Sequence, residues 1–325
     1  MIPTKLASIG LVAATVAILP AVSAHAQAPR TFVSAAGSDS NPCSFLAPCR
    51  HFQAAADATS TGGEVDALDP AGYGPIIISH AITIEGQGWS YIAPPTNGNG
   101  ITINAVSGNV TVHGVSINGV GITGGTNGIV FNSGASLTVI NCVLQNFVTN
   151  GNNPVTGNGI LIAPSSGTVD FTVTNTTASN NGYAGVEYLP AGNTVNGNGI
   201  IDHVVATANQ YGIVVDSSST MLGATVATIS NSIASDNTQS GVLVKNGSAT
   251  HKVSVDNVSM SGNSIGIAGV NSPQVLLGRS VITGNTTGVL NSTSPNAFYT
   301  YGNNQINLNT TTDISAPLDT TFTPM

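Results

Sequence analysis

Charge is what this chain has least of. Of its 325 residues only 6 are Lys or Arg and 14 are Asp or Glu, for a net charge of −8. Six cations cannot build the basic stripe that nucleic acid requires, so a nucleic-acid partner is excluded. Glu and Lys are nearly absent, which removes long helices and coiled coils. Aromatics reach 5%, with a single Trp. No Gly-rich phosphate loop precedes a helical pattern, and no Ser/His/Asp nucleophile motif is present. Disorder is excluded from the other side, because 41% of the residues are hydrophobic. What remains is a globular chain dense in Gly, Asn, Thr, Ser and Val, the composition of a β protein.

Only one apolar run is long. It spans residues 6–22, follows Lys5, is broken by Pro20 and ends at Ala24-His25-Ala26. A basic start, an apolar stretch and a small-residue cleavage site read as an export signal over residues 1–26, rather than a transmembrane anchor. The mature chain is then expected to be secreted, or held in the periplasm or on the outer cell surface, with five cations left. Export permits disulfides. Cys43 and Cys49 flank a five-residue loop and are read as a bridge, with metal binding as the alternative. Cys142 sits in an apolar strand pattern and reads as a buried free thiol.

The body is a repeat. A phrase of Gly, aliphatic, variable, apolar recurs from Gly100, Gly128, Gly159, Gly185, Gly212 and Gly241, with weaker copies from Gly266 and Gly288. The spacings are 28, 31, 26, 27, 29, 25 and 22 residues, the range of solenoids. A second register supports it. His113, Asn141, Asn175, His203, Asn231, Asn257, Arg279 and Asn303 mark the middle of each repeat. Six residues later come Gly119, Phe147, Asn181, Asn209, Asn237, Asn263, Asn285 and Asn309. An antiparallel sandwich gives no reason for a constant offset through eight units. Stacked coils do: like strands pair in parallel about 4.8 Å apart, inward Ile, Val and Leu form one continuous core, and Asn fills the corners. Asn181, Asn209, Asn237, Asn263, Asn285 and Asn309 are expected to form a structural ladder. The fold expected is all-β, a right-handed parallel β-helix of eight to ten coils over residues 65–309. A cap with one short helix precedes it (27–64), and a polar tail follows (310–325).

This pattern resembles the right-handed parallel β-helix of pectate lyases and many secreted bacterial repeat proteins. The cap order resembles theirs too: strand Arg30 to Ser34, turn Gly37-Ser38-Asp39-Ser40-Asn41, Ala-rich helix, Gly62-Gly63, then Ile82-Thr83-Ile84-Glu85-Gly86. Enzymes of this fold work on an outward strand face. In the Gly-anchored strands the second position after Gly points out and reads Thr102, Val130, Leu161, Glu187, Val214, Leu243, Ala268, Leu290. That apolar column needs cover, from the tail, from a loop such as 147–157, or from a second copy of the chain, which would make a homo-oligomer through this face. The mid-repeat strands instead turn Thr138, Thr172, Thr228, Ser254, Asp202, Ser230 and Asp256 outward.

Glu187, Asp216 and Lys245 fall on one face of adjacent coils and form the first catalytic candidate, read either as an acid/base cluster or as an ordinary ion pair. Asp202 is the other. Ile201-Asp202-His203 resembles the I-D-H stretch of pectate lyases, but the Arg pair that follows there is missing. The paired Asp, G-H-G and R-x-K elements of β-helix polygalacturonases are missing too. His203 and Arg279 read as ladder-corner residues. Trp89 stands alone, without the aromatic platform that sugar-cleaving clefts use. Asp39 by itself is a poor calcium ligand. No cofactor or metal is expected, and calcium enters only with the enzymatic reading. The leading reading is a non-catalytic β-helix with a surface, adhesive or structural role and a polysaccharide or cell-surface ligand. The alternative is a relative of polysaccharide lyases or glycoside hydrolases acting on acidic polysaccharide.

Overall fold

A computed structural model describes residues 27–120, 124–151, 153–220, 222–246, 251–271, 273–291 and 298–320. The expected export signal lies outside these residues. Among the described residues no helix is long and apolar enough to cross a membrane.

The chain is a right-handed parallel β-helix of about ten turns. Each coil of the body contributes three strands, as in Thr225–Ser230, Ile233–Ser235 and Ser240–Lys245. The Gly-anchored strands stack into a ten-stranded sheet from Ile76–Ile78 to Thr312–Ile314. The other two stack into one eighteen-stranded sheet that folds at a corner. Register is kept coil after coil. Ile101, Ile129, Ile160, Val186, Ile213, Val242, Ile267 and Val289 form one inward column, and all are fully buried. That column is the hydrophobic spine, since burying an aliphatic side chain contributes roughly 1.5–3 kcal/mol.

The recurring Gly also points inward. A Cβ on Gly212 would stand 2.4 Å from the Gly241 carbonyl oxygen and 2.9 Å from Asn237 Nδ2. The equivalent atoms close in on Gly159, Gly185, Gly241, Gly266 and Gly288. Glycine recurs here because the next coil's backbone and the ladder amide occupy the space a side chain needs.

The two corners differ in a way that the expected Asn pattern merges. At the mid-repeat corner Asn141, Asn175, His203, Asn231, Asn257 and Arg279 themselves adopt the left-handed conformation, with φ between 48° and 54°. In the coils of His113 and Asn303 that role falls to the neighbouring Gly114 and Gly302. At the second corner the left-handed residue comes just before the ladder Asn: Asn180, Ala208, Asp236, Gly262, Gly284 and Leu308. The ladder Asn is therefore selected for its amide and not for its φ. Asn209 Nδ2 donates to Ala178 O at 3.1 Å and to Asn237 Oδ1 at 3.2 Å, and Asn209 N donates to the same oxygen at 3.0 Å. Asn237 repeats this onto Asn263, and Asn263 onto Asn285. Asn181, Asn209, Asn237, Asn263 and Asn285 are buried, so the ladder satisfies turn backbone that water cannot reach.

The N-terminal end is closed by the helix Phe52–Ala58, which rests on the strands Ala28–Val33, Thr59–Ala67 and Ile76–Ile78 and buries Phe52, Ala55 and Ala56. A stack of coils needs such a plug, because its first coil would otherwise expose core and a free strand edge. Cys43 and Cys49 are bridged within this region, with Cα atoms 4.6 Å apart. Parallel pairing already joins Ala28–Val33 to Thr59–Ala67, and it reaches Thr312–Ile314 at the far end. Cys142 is buried and free, its thiol pushed up to about 11 by burial.

Candidate functional site

Three places gather chemistry-bearing side chains. The first is the outer face of the Gly-anchored sheet. Its upstream part is an amide row in which Asn127 Nδ2 donates to Asn99 Oδ1 at 3.1 Å and Asn158 N donates to Asn127 Oδ1 at 3.0 Å. Residues 153–157 fold over this row. Asn127 Nδ2 donates to Val155 O at 3.0 Å and Asn158 Nδ2 to Pro154 O at 2.7 Å. Further along, Ala184, Val214, Leu243 and Ala268 form a buried cluster of their own, packed by Tyr183, Tyr211, Ile265, Val270 and Leu290. The apolar column is thus largely buried within a single chain, with only its end members Thr102 and Leu290 half-exposed.

Glu187 lies in this face with 0% exposure. Neither carboxyl oxygen has a hydrogen-bond partner of normal geometry among the described residues, although the Asn158 amide is near enough to favour the charged form. Burial first, and then the Asp216 carboxylate, push its pKa up to about 9 against the smaller pulls of Asn158 and Lys245. Glu187 is therefore protonated at neutral pH. Asp216 and Lys245 are paired in register, and Nζ donates to Oδ2 at 2.6 Å. Ser218 holds the other Asp216 oxygen through its N–H at 3.0 Å and its hydroxyl at 2.5 Å. The structure brings these three sequence candidates together, but as a closed cluster and not in an open groove.

Asp202 lies elsewhere, on the outer face of the long sheet beside a corner. Its Oδ1 accepts from Ser230 Oγ at 2.6 Å and Asn231 Nδ2 at 2.8 Å, and its Oδ2 sits 2.6 Å from His203 Nδ1. The Ser230 hydrogen bond leads the interactions that hold its carboxyl below the usual range. It is a fixed acceptor and a weak base. Asp39 is also engaged: both Arg50 N and His51 N donate to its Oδ1 at 2.9 Å, ahead of the cap helix. Among the described residues no three His, Cys, Asp or Glu come together as a metal site. Trp89 is exposed.

The third place escaped the sequence reading. On the outer face of the long sheet, near its C-terminal end, a cavity of about 330 Å³ is lined by Ser254, Asp256, Leu276, Gly278, Arg279, Tyr301 and Asn303. Arg279 forks onto Asp256, with Nε to Oδ1 at 2.9 Å and Nη2 to Oδ2. That hydrogen bond holds the Asp256 carboxyl below its ordinary range. Asn303 Oδ1 accepts from Arg279 N at 3.0 Å. The signal was a glycine: Gly278 stands where the preceding coils carry Thr174, Asp202, Ser230 and Asp256.

No protein-family model and no curated protein matches this sequence. Solved structures do. A pectate lyase, Pel9A, is 16% identical with a TM-score of 0.48, covering 81% of this chain and 78% of its own. A GH136 lacto-N-biosidase from Eubacterium ramulus is 10% identical with a TM-score of 0.42, over 89% and 67%. The A-module of the Azotobacter vinelandii mannuronan C-5 epimerase AlgE4 is 16% identical with a TM-score of 0.37, over 78% and 87%. None of the three reaches a TM-score of 0.5, and no chemistry is carried across from them.

Proposed function

We propose that the protein is an exported, non-catalytic β-helix with a surface, adhesive or structural role, whose polar outer sheet face binds polysaccharide. One observation carries this reading: no sequence candidate for acid/base chemistry is both free and reachable. Glu187 has no exposed surface, Asp216 is held by Lys245 and Ser218, and Asp202 is held by Ser230, Asn231 and His203. A general base must reach the proton it removes: Glu187 is out of reach, and Asp216 and Asp202 are spent on the protein's own contacts. The ligand class follows from the long sheet. Its outward column runs Thr138, Thr172, Ile200, Thr228 and Ser254 at the inter-coil spacing of about 4.8 Å, two pairs of half-exposed hydroxyls around an exposed apolar side chain, a surface suited to a polymer whose units offer both hydroxyl and C–H faces.

The test is turnover. Mature protein is incubated with pectate, alginate and other acidic polysaccharides, with and without calcium, while unsaturated product absorbance and reducing ends are followed. No product above the blank is expected. Turnover that disappears in Lys245→Ala would overturn the proposal in favour of a lyase-type activity.

A further inference from the structure

The cavity at the C-terminal end of the long sheet is made by a missing side chain. Successive outward residues along one column are Glu85, His113, Ile140, Thr174, Asp202, Ser230 and Asp256, and then Gly278. Gly278 is buried beneath its neighbours. A Cβ there would meet Asp256 Oδ1 at 3.1 Å and Tyr301 Cδ2 at 3.4 Å. The glycine leaves the floor of the notch bare, with a carboxylate on one wall and an aromatic ring on the other, both within contact distance of where a Cβ would stand. Its φ is not in the left-handed region, so backbone conformation does not require glycine at this position. The cavity's volume is at the small end of the range for ligand pockets, which is roughly 300–1,000 Å³.

The chemistry of the walls selects a ligand class. Asp256 and Arg279 cancel each other's charge, so neither an anion nor a cation gains from long-range attraction. The fork fixes both groups in one plane, with acceptor and donor edges side by side, which matches two adjacent hydroxyls. Asn303 offers its Oδ1 to Arg279 N, which leaves its NH₂ as the group for a ligand oxygen. Ser254 adds a hydroxyl and Leu276 an apolar patch. Tyr301 is 65% exposed, and its ring face carries the negative quadrupole that attracts polarised C–H groups.

We infer that the notch between Asp256, Arg279 and Tyr301, opened by Gly278, is a binding subsite for one neutral pyranose unit of a saccharide chain. This deepens the polysaccharide-binding reading and rests on it. Arg279 occupies a corner that Asn141, Asn175, Asn231 and Asn257 hold in other coils, so the turn does not require a guanidinium, and its fork onto Asp256 uses Nε and Nη2 and leaves Nη1 for a ligand oxygen.

The test is binding by NMR and calorimetry of mature protein with cello-, xylo-, malto- and chito-tetraose, and with tetragalacturonate as the acidic arm. At least one neutral oligosaccharide is expected to bind and to shift resonances of Tyr301 and Asn303. Gly278→Val fills the notch and Arg279→Asn removes the guanidinium while keeping a corner residue used elsewhere. Each should weaken binding about tenfold or more, a change of roughly 1.4 kcal/mol. Tyr301→Ala, at an exposed position, should weaken it too in protein whose circular-dichroism spectrum is that of the wild type. Binding of no neutral oligosaccharide, preference for tetragalacturonate, or neutral binding untouched by Gly278→Val and Tyr301→Ala would each overturn the subsite. Binding of tetragalacturonate alone overturns the neutral subsite and leaves the polysaccharide-binding reading standing, whereas binding of no saccharide overturns both.

Discussion

Asp313 ends the ladder by imitating the next Asn: its Oδ1 accepts from Asn309 N at 3.1 Å and from Asn309 Nδ2 at 2.9 Å. Asn237 receives Asn209 with the same pair of bonds one coil after another, but in a dry interior. The ladder is one motif with a wet end and a buried middle, and the two should respond differently to mutation. Asn237→Ala strands a buried backbone N–H and a buried amide and should cost about 3 kcal/mol or more. Asp313→Asn keeps an acceptor at an exposed end and should change stability by less than about 0.5 kcal/mol. Thermal and urea unfolding of the two variants check this.

The Gly column makes a steric prediction. Gly212→Ala places a methyl against the Gly241 carbonyl and should destabilise by about 2–3 kcal/mol through overpacking. Gly284→Ala is the contrast. Gly284 has open space around it but φ +68°, so the cost is conformational, about 1–2 kcal/mol. Melting temperatures should rank the two in that order.

Glu187 predicts a pH dependence of stability. Its folded pKa is raised to about 9, so the folded chain keeps a proton that the unfolded chain releases near the ordinary carboxylate pKa. Stability from this group is fully present below the unfolded pKa and is lost as pH rises toward 9. Asp202 and Asp256, held low, act in the opposite sense and lose their contribution only in acid. Glu187→Gln should therefore flatten the decline in melting temperature between pH 5 and about pH 9 and leave the acid limb unchanged. Parallel slopes for the two proteins would contradict the assignment.

The bridge in the cap gives a fourth prediction. Cys43 and Cys49 are six residues apart, and closing so short a loop removes about 2 kcal/mol of unfolded-chain entropy. Replacing both by Ser should lower stability by that order, with loss of exchange protection concentrated around Phe52 and Val33.

Much of this architecture is readable from residues alone, because a solenoid writes its geometry into its period. The six-residue offset from Asn231 to Asn237, repeated through eight coils, fixes both corners and makes Asn209, Asn237 and Asn263 neighbours. The division of labour between corners is not readable, since Asn serves one by its φ and the other by its amide. Nor is the closing of Glu187. Periodicity places it on an outward face and carries no sign that this face is buried. The cavity was hidden for a third reason: a notch is an absent side chain, and Gly278 looks like any other glycine until its column is aligned.

The molecule has a closed face around Glu187 and Asp216 and an open polar one. Hydroxyl-radical footprinting of the protein, read by mass spectrometry, tests that division directly. Tyr301 and Leu276 should be modified readily, while Val214, Leu243 and Tyr188 stay protected until the protein is unfolded. Modification of Val214 and Leu243 at the rate of Tyr301 would mean an open groove beside Glu187, Asp216 and Lys245, and would contradict the account.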